Sequence, residues 1–336
     1  MPRRKDSPHE ADQVEGRNPV LEALRGPREV HEIYVAKVAE RTPEIEEIIN
    51  LARAAGVPVK DASRDRIDAM SRTSTPQGII ARVEPYRFLD LAELLDGVSS
   101  SPLPLVLVLD RIEDPQNLGA LLRVAETAGV DAVVVPGKRS AGITPAVAKA
   151  SAGAVEYVKV ARVSSLSAAV ERLKAAGLWV AGAEAGEGVP YYELDMTVPL
   201  AIVLGSEGQG LSRLVKESCD SLVSLPVKGR VGSLNVSTAG AVLLYEAVRQ
   251  RTAGVPPASV PPASGPPASR RQTRLEKHLP RSRARLAHRP VFGFLRPRGR
   301  PRRTGVRRGR PPRRDLAGTG GLLAHGDLHR TGAIRR

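Results

Sequence analysis

Between Leu105 and Leu225, six short runs of β-branched and leucine residues recur, and helical patterns separate most of them. The first, LPLVLVLD, has no polar face at all, so a strand built from it must be buried on both sides. That demand is met by a parallel sheet with helices on both faces, because each crossover lays a helix on the sheet. The spacing predicts strands at 105–109, 131–135, 155–160, 178–181, 200–204 and 221–225. It predicts helices at 117–128, 145–152, 164–176, 211–217 and 237–250.

A smaller α/β unit is expected upstream, over residues 14–84. Asn18, Pro19 and Gly26 mark the cap, first turn and end of a helix. Residues 30–36 alternate as a strand should, and a helix opens at Thr42-Pro43 and closes at Gly56, with Ile45, Ile48, Ile49 and Ala52 on one face. A strand at 57–60, a helix at 63–71 and a strand at 78–83 complete the unit. Residues 85–104, with a short helical stretch at 89–95 followed by SSSPLP, read as a linker to the domain at 105–251. Residues 1–13 are polar and are expected to be disordered.

Charge separates the chain at Arg251. Of 51 Lys and Arg, 21 lie beyond it, with only 3 of the 36 Asp and Glu, so residues 1–251 hold 30 basic against 33 acidic groups. The net charge of +15 is therefore a property of residues 252–336, and overall basicity is not an argument for a nucleic-acid partner. This tail opens with a five-residue PPAS-type repeat and continues in Arg, Pro, Gly and His. It cannot bury enough apolar surface to order itself. Two readings stay open: a basic arm that tethers RNA, or the product of GC-rich sequence translated in a shifted frame.

Cys219 is the one cysteine, which excludes an intramolecular disulfide and a cysteine-based metal site. No histidine falls between His31 and His278, so neither a Ser/His/Asp arrangement nor a zinc site is expected. With no apolar h-region at the N-terminus and no stretch long enough to cross a bilayer, a cytoplasmic protein without membrane attachment is expected.

Three polar clusters interrupt the apolar pattern, each after a predicted strand, where open α/β sheets bind ligands. They are DRIEDPQNLGALLRVAE, with Asn117 and Arg123; IVLGSEGQGLSRL, with Leu204, Gly205, Glu207 and Gly210; and LPVKGRVGSLNVSTAG, with Leu225, Ser233, Leu234 and Asn235. Taken singly, each has a plain structural reading: a helix cap, a glycine-rich turn, and a cap at Ser237. Neither the dinucleotide G-x-G-x-x-G nor a Walker phosphate loop is present.

In order, spacing and strand-end position the three clusters resemble the motifs of the SpoU–TrmH branch of SPOUT RNA 2′-O-methyltransferases. The segments EGRNPVLEAL and QGIIA look like that family's L30e-like substrate-binding domain, although Pro76 stands where many relatives carry His. The resemblance implies an α/β SPOUT domain with a trefoil knot, S-adenosyl-L-methionine as cofactor, RNA as partner and a homodimer. It implies a polar site of Asn117, Arg123, Glu207, Ser233 and Asn235. The donor would be held by Leu204, Gly205, Gly210, Leu225, Ser233 and Leu234. The likeness is greatest to the subgroup that methylates a guanosine ribose in the peptidyl-transferase region of 23S rRNA. A tRNA or another rRNA site is the alternative, and a non-catalytic RNA-binding or ribosome-assembly protein and a nucleotide-binding α/β enzyme are rivals of other classes.

Overall fold

Side chains placed just ahead of each helix set most of the helix boundaries. Ser63, Thr144 and Ser165 each accept a hydrogen bond from the backbone N–H three residues on, and Asp90 and Glu93 form a reciprocal capping box. Asp114 caps its helix through the N–H groups of Gln116 and Asn117. The computed structural model describes residues 12–37 and 42–253. Most of the expected N-terminal disorder and nearly all of the tail lie outside the described residues.

The first domain is a four-stranded sheet of β1 (Asp12–Glu15), β2 (Val30–Ala36), β3 (Val59–Ala62) and β4 (Ile79–Val83), in the order β1-β4-β2-β3. The β1–β4 and β4–β2 pairs are antiparallel, whereas β2 and β3 run parallel. Helices α1 (Arg17–Arg25), α2 (Pro43–Ala54) and α3 (Arg64–Met70) accompany it. Ile33, Ile45, Ile48 and Ile79 are fully buried in its core. Two expectations change here. Asp12 and Gln13, read as disordered, form the start of β1, and Gln13 Nε2 donates to Glu15 and to the Met70 carbonyl. Asn18 does not cap α1; the first turn is held by Gln77 Oε1, which accepts from the Arg17 N–H at 3.0 Å.

The second domain holds, among the described residues, seven parallel strands. These are β5 (Leu105–Leu109), β6 (Ala132–Pro136), β7 (Val160–Val163), β8 (Trp179–Ala183), β9 (Val189–Pro190), β10 (Leu200–Leu204) and β11 (Ser221–Ser224). Their order is β7-β6-β5-β10-β8-β11-β9. The helices are α4 (Leu91–Ser99), α5 (Pro115–Thr127), α6 (Pro145–Ala150), α7 (Leu166–Ala175), α8 (Arg213–Ser218) and α9 (Val236–Ala253). Every residue of β5 and β10 is buried, as the apolar runs demanded.

The run read as a strand at 155–160 is instead a 3₁₀ turn, Ala154–Glu156, followed by β7 four residues later. Its apolar side chains Val155 and Val158 are buried, but in a turn that presents Glu156 to Arg28 of the first domain. Arg28 grips that buried carboxylate with both Nε and Nη2. Lys149 of α6 reaches Thr75 in the same way, so α6 and the turn after it carry the first domain. Nor is 85–104 a loose connection: Leu89 exchanges backbone hydrogen bonds with Val160 and Arg162, and Tyr86 Oη donates to the Val158 carbonyl.

Candidate active site

The chain leaves β5 to build β6 and β7 on one side, then returns to build β8 and β10 on the other. The strand order therefore reverses between β5 and β10, and a pocket opens where the chain leaves those two strands, at Arg111, Ile112 and Ser206. The turn after β10 folds back on itself, with Gly210 N–H donating to the Ser206 carbonyl at 3.0 Å. A Cβ on Gly205 would stand 2.2 Å from the carbonyl carbon of Gly210, so only glycine permits this closure.

Beside the turn lies an open cleft of about 230 Å³. Its walls come from the ends of β8, β10 and β11 and from the start of α9, and combine backbone and apolar side chains with the polar side chains of Glu184, Glu207, Gln209 and Ser233. Leu204, Gly205, Gly210, Leu225, Ser233 and Leu234, named from sequence as donor-binding residues, all line it. Leu234 is 47% exposed, an apolar side chain left open on the cleft wall.

The polar residues meet at the cleft's edge. Asn235 caps α9: its Oδ1 accepts from the N–H of Ser237 at 2.9 Å and of Thr238 at 3.3 Å, and from the Ser237 hydroxyl at 2.6 Å. The cap is thus Asn235 and not Ser237. Its Nδ2 donates to Asn117 Oδ1 at 3.0 Å and also to the Glu207 carboxylate. All three motifs are tied together through this one amide. Asn117, in the first turn of α5, is 8% exposed and belongs with Glu207 to a second, adjoining pocket.

Arg123 does not join them. Six residues at 3.6 per turn place it about 120° around α5 from Asn117, and its side chain is exposed. Ser233 lines the cleft but belongs to an exposed stretch, 226–235.

Sequence reasoning missed three residues that shape the turn. Arg111 donates from Nη1 to Gln209 Oε1 at 3.0 Å and from Nη2 to the Gly210 carbonyl at 3.2 Å. Asp110, 4% exposed, accepts from the Ser212 N–H at 2.6 Å and stands 3.4 Å from Arg111 Nε. Glu184, at the end of β8, accepts from the Leu211 N–H at 3.2 Å. The one available signal was position: Asp110 and Arg111 directly follow a buried strand.

Burial, and secondarily the neighbouring Asp220, pushes the Cys219 thiol up to about 11, which leaves it un-ionised and inert at neutral pH. Among the described residues no group of three or more His, Cys, Asp or Glu is placed to hold a metal ion, and no helix is long and apolar enough to cross a membrane.

Comparison with known proteins agrees with this geometry. The profile of the SpoU rRNA Methylase family matches residues 104–245, and that of the RNA 2′-O ribose methyltransferase substrate-binding domain matches residues 13–89. A Bacillus subtilis (strain 168) protein assigned to the TrmH family of tRNA/rRNA methyltransferases is 39% identical over 241 residues, covering 71% of this chain and 96% of its own. Among solved structures, the SpoU methyltransferase AviRb of Streptomyces viridochromogenes, in complex with AdoMet, superposes with a TM-score of 0.61 at 27% identity. That match covers 71% of this chain and 90% of AviRb. A structure described as an RNA 2′-O ribose methyltransferase has a TM-score of 0.59 at 30% identity, covering 71% and 88%.

Proposed function

The chain belongs to the SpoU rRNA methylase family of RNA 2′-O-ribose methyltransferases, and on that footing we propose that its substrate is a guanosine ribose of 23S rRNA, with S-adenosylmethionine as methyl donor. The observation that carries the reading is the Asn235 amide, which joins Asn117 and Glu207 at the edge of a cleft lined by all six donor-binding candidates. A transferase needs a donor and an acceptor side by side, and these residues supply adjoining walls for both.

The donor set fits the cofactor: a part-apolar cleft edged by backbone amides and carbonyls can hold an adenine and an amino-acid chain without ordering long side chains. When bound, S-adenosylmethionine would supply an electrophilic methyl to the ribose 2′-oxygen, with the sulfonium sulfur keeping the electrons of the broken bond and the hydroxyl proton passing to solvent. The chain's own task is alignment. Asn117 and Asn235, locked to each other, present fixed polar groups to the ribose, and Glu207 is held by the same amide. Arg123 is no base, because a guanidinium keeps its proton and has no lone pair free to take another. We assign it instead to orient the RNA and stabilise developing charge.

We further propose the family's trefoil knot for the segment that closes the cleft, and a homodimer. In favour of the dimer, Tyr245 of α9 is 49% exposed with Ala241 and Val248 partly buried beside it, whereas Leu244 is spent in the chain's own core. An exposed Arg123 also gains a role once a second copy brings RNA to it. A tRNA substrate is the second reading, favoured by the tRNA/rRNA naming of the Bacillus subtilis relative. Mapping 2′-O-methylation in 23S rRNA and tRNA from cells with and without the gene decides between them. Loss of one 23S guanosine mark supports the proposal, and loss of a tRNA mark alone overturns it.

A further inference from the structure

The pocket that holds Asn117 and Glu207 has a rim residue with no role in the site described so far. Arg139 lies in the loop between β6 and α6 and lines that pocket together with Arg111, Asp114 and Gln209. Its backbone is left-handed, with φ 56°, a conformation that an L-residue with a long side chain rarely adopts. The loop is fastened on both sides of it. Gly137 N–H donates to the Val163 carbonyl at 2.8 Å, and Ala141 N–H to the Ile112 carbonyl at 2.9 Å. The second clip ties the loop to the segment that leads into α5. Arg139 is therefore a strained residue on a held loop, and strain of that kind collects at ligand sites.

Its charge is unanswered. Three other charged groups of the pocket have partners: Arg111 is bound to Gln209, the Gly210 carbonyl and Asp110, Asp114 caps α5, and Glu207 accepts from Asn235. Glu113 is exposed, and among the described residues it forms no ion pair with Arg139. The Arg139 guanidinium makes no hydrogen bond or ion pair among the described residues and is exposed to solvent.

We propose that Arg139 binds a backbone phosphate of the RNA next to the target ribose and so sets the register of the strand over Asn117 and Asn235. This rests on the reading of the protein as an RNA ribose methyltransferase. A guanidinium suits the task, since its planar fork takes a phosphate through two parallel hydrogen bonds and stays charged at any working pH. Lys138 beside it is also exposed and adds to the local positive potential. Phosphate contacts position a strand without reading its bases, so Arg139 fixes where the ribose lies and leaves the choice of nucleotide to other contacts.

The test uses the full chain with an unmodified 23S rRNA transcript, comparing wild type, Arg139→Gln and Arg139→Lys. In Arg139→Gln the KM for RNA should rise about tenfold, and the plot of log affinity against log salt should become shallower by about one. The dissociation constant for S-adenosylmethionine, measured by calorimetry, should stay at the wild-type value, which separates a lost RNA contact from a damaged fold. Arg139→Lys should recover part of the affinity and the full salt slope. A wild-type salt slope and KM in Arg139→Gln overturn the proposal, as does a loss of RNA affinity matched by an equal loss of cofactor affinity. Should the wild type bind the transcript without methylating it, the assigned substrate fails, while the salt slopes still decide the role of Arg139.

Discussion

Asn235 Nδ2 lies 3.0 Å from Asn117 Oδ1, joining the first turn of α9 to the first turn of α5 across 118 positions of sequence. The same side chain uses its oxygen to cap α9, so one residue both starts a helix and sets the geometry of the site. These two duties can be separated. Asn235→Ala loses both, and should lower stability by about 1–2 kcal/mol and abolish methyl transfer. Asn235→Asp keeps a capping oxygen but turns a carboxylate toward Glu207. It should unfold near the wild-type temperature yet remain inactive. Thermal unfolding paired with a labelled-methyl assay distinguishes them, and wild-type turnover in Asn235→Asp would remove the amide network from the mechanism.

Arg111 fastens the glycine-rich turn to the end of β5 through Gln209 and the Gly210 carbonyl. A lysine keeps the charge but lacks the fork that reaches two acceptors at once. Arg111→Lys is expected to weaken S-adenosylmethionine binding about tenfold, the equivalent of roughly 1.4 kcal/mol, with little change in melting temperature. Calorimetry on the purified chain measures this directly. An unchanged affinity would mean the turn holds its shape without the clamp.

What could be read from the residues was what is local. The apolar runs of β5 and β10 fix buried parallel strands, and the glycine-rich turn and the SLNVS stretch announce themselves by composition. What could not be read is pairing at a distance. Arg111 looks like any charged residue after a strand until Gln209, 98 positions on, is seen against it. Residues 155–160 carry a strand-like pattern because Val155 and Val158 are buried. A turn buries them equally well, and the docking of Arg28 on Glu156 favours the turn. Gln77 caps α1 from 60 positions away, which no capping rule based on neighbours can find. Arg123 shows the opposite limit: its motif names it, yet helix geometry turns it away from Asn117.

Glu15 is a buried carboxylate that accepts from Gln13, Ser71, Arg72 N–H and both the N–H and hydroxyl of Thr73. Burial pushes its pKa up, but the hydrogen bonds from Thr73, Arg72, Ser71 and Gln13 outweigh this and hold it below the ordinary carboxylate value. The folded value is the lower one, so the unfolded chain binds the proton more readily. The stability this group contributes is full above the ordinary value of about 4.3 and is lost as pH falls through the folded value. Wild type should thus lose more stability than Glu15→Gln on acidification from neutral pH to below about 4. At neutral pH Glu15→Gln should be destabilised by about 2–3 kcal/mol. Chemical denaturation at the two pH values checks both statements, and parallel acid losses in the two proteins would contradict them.

Gly240 sits where α9 crosses α5 and β10, and a Cβ there would stand 2.5 Å from Leu121 Cδ2 and 2.8 Å from Leu204 Cδ1. Both leucines are buried, so neither can swing clear without displacing its neighbours. Gly240→Ala should therefore destabilise the chain by about 1–3 kcal/mol, against its better helix propensity. Leu204 also lines the cleft, so the displacement should reach the site and weaken cofactor binding. Trimming the obstructing side chain tests the cause. Leu121→Ala alone leaves a cavity, but in Gly240→Ala/Leu121→Ala the new methyl occupies part of it. The double variant should be more stable than the sum of the single effects allows, by at least about 0.5 kcal/mol. Simple additivity would show that the two residues do not compete for space, and that α9 approaches α5 closely for some other reason.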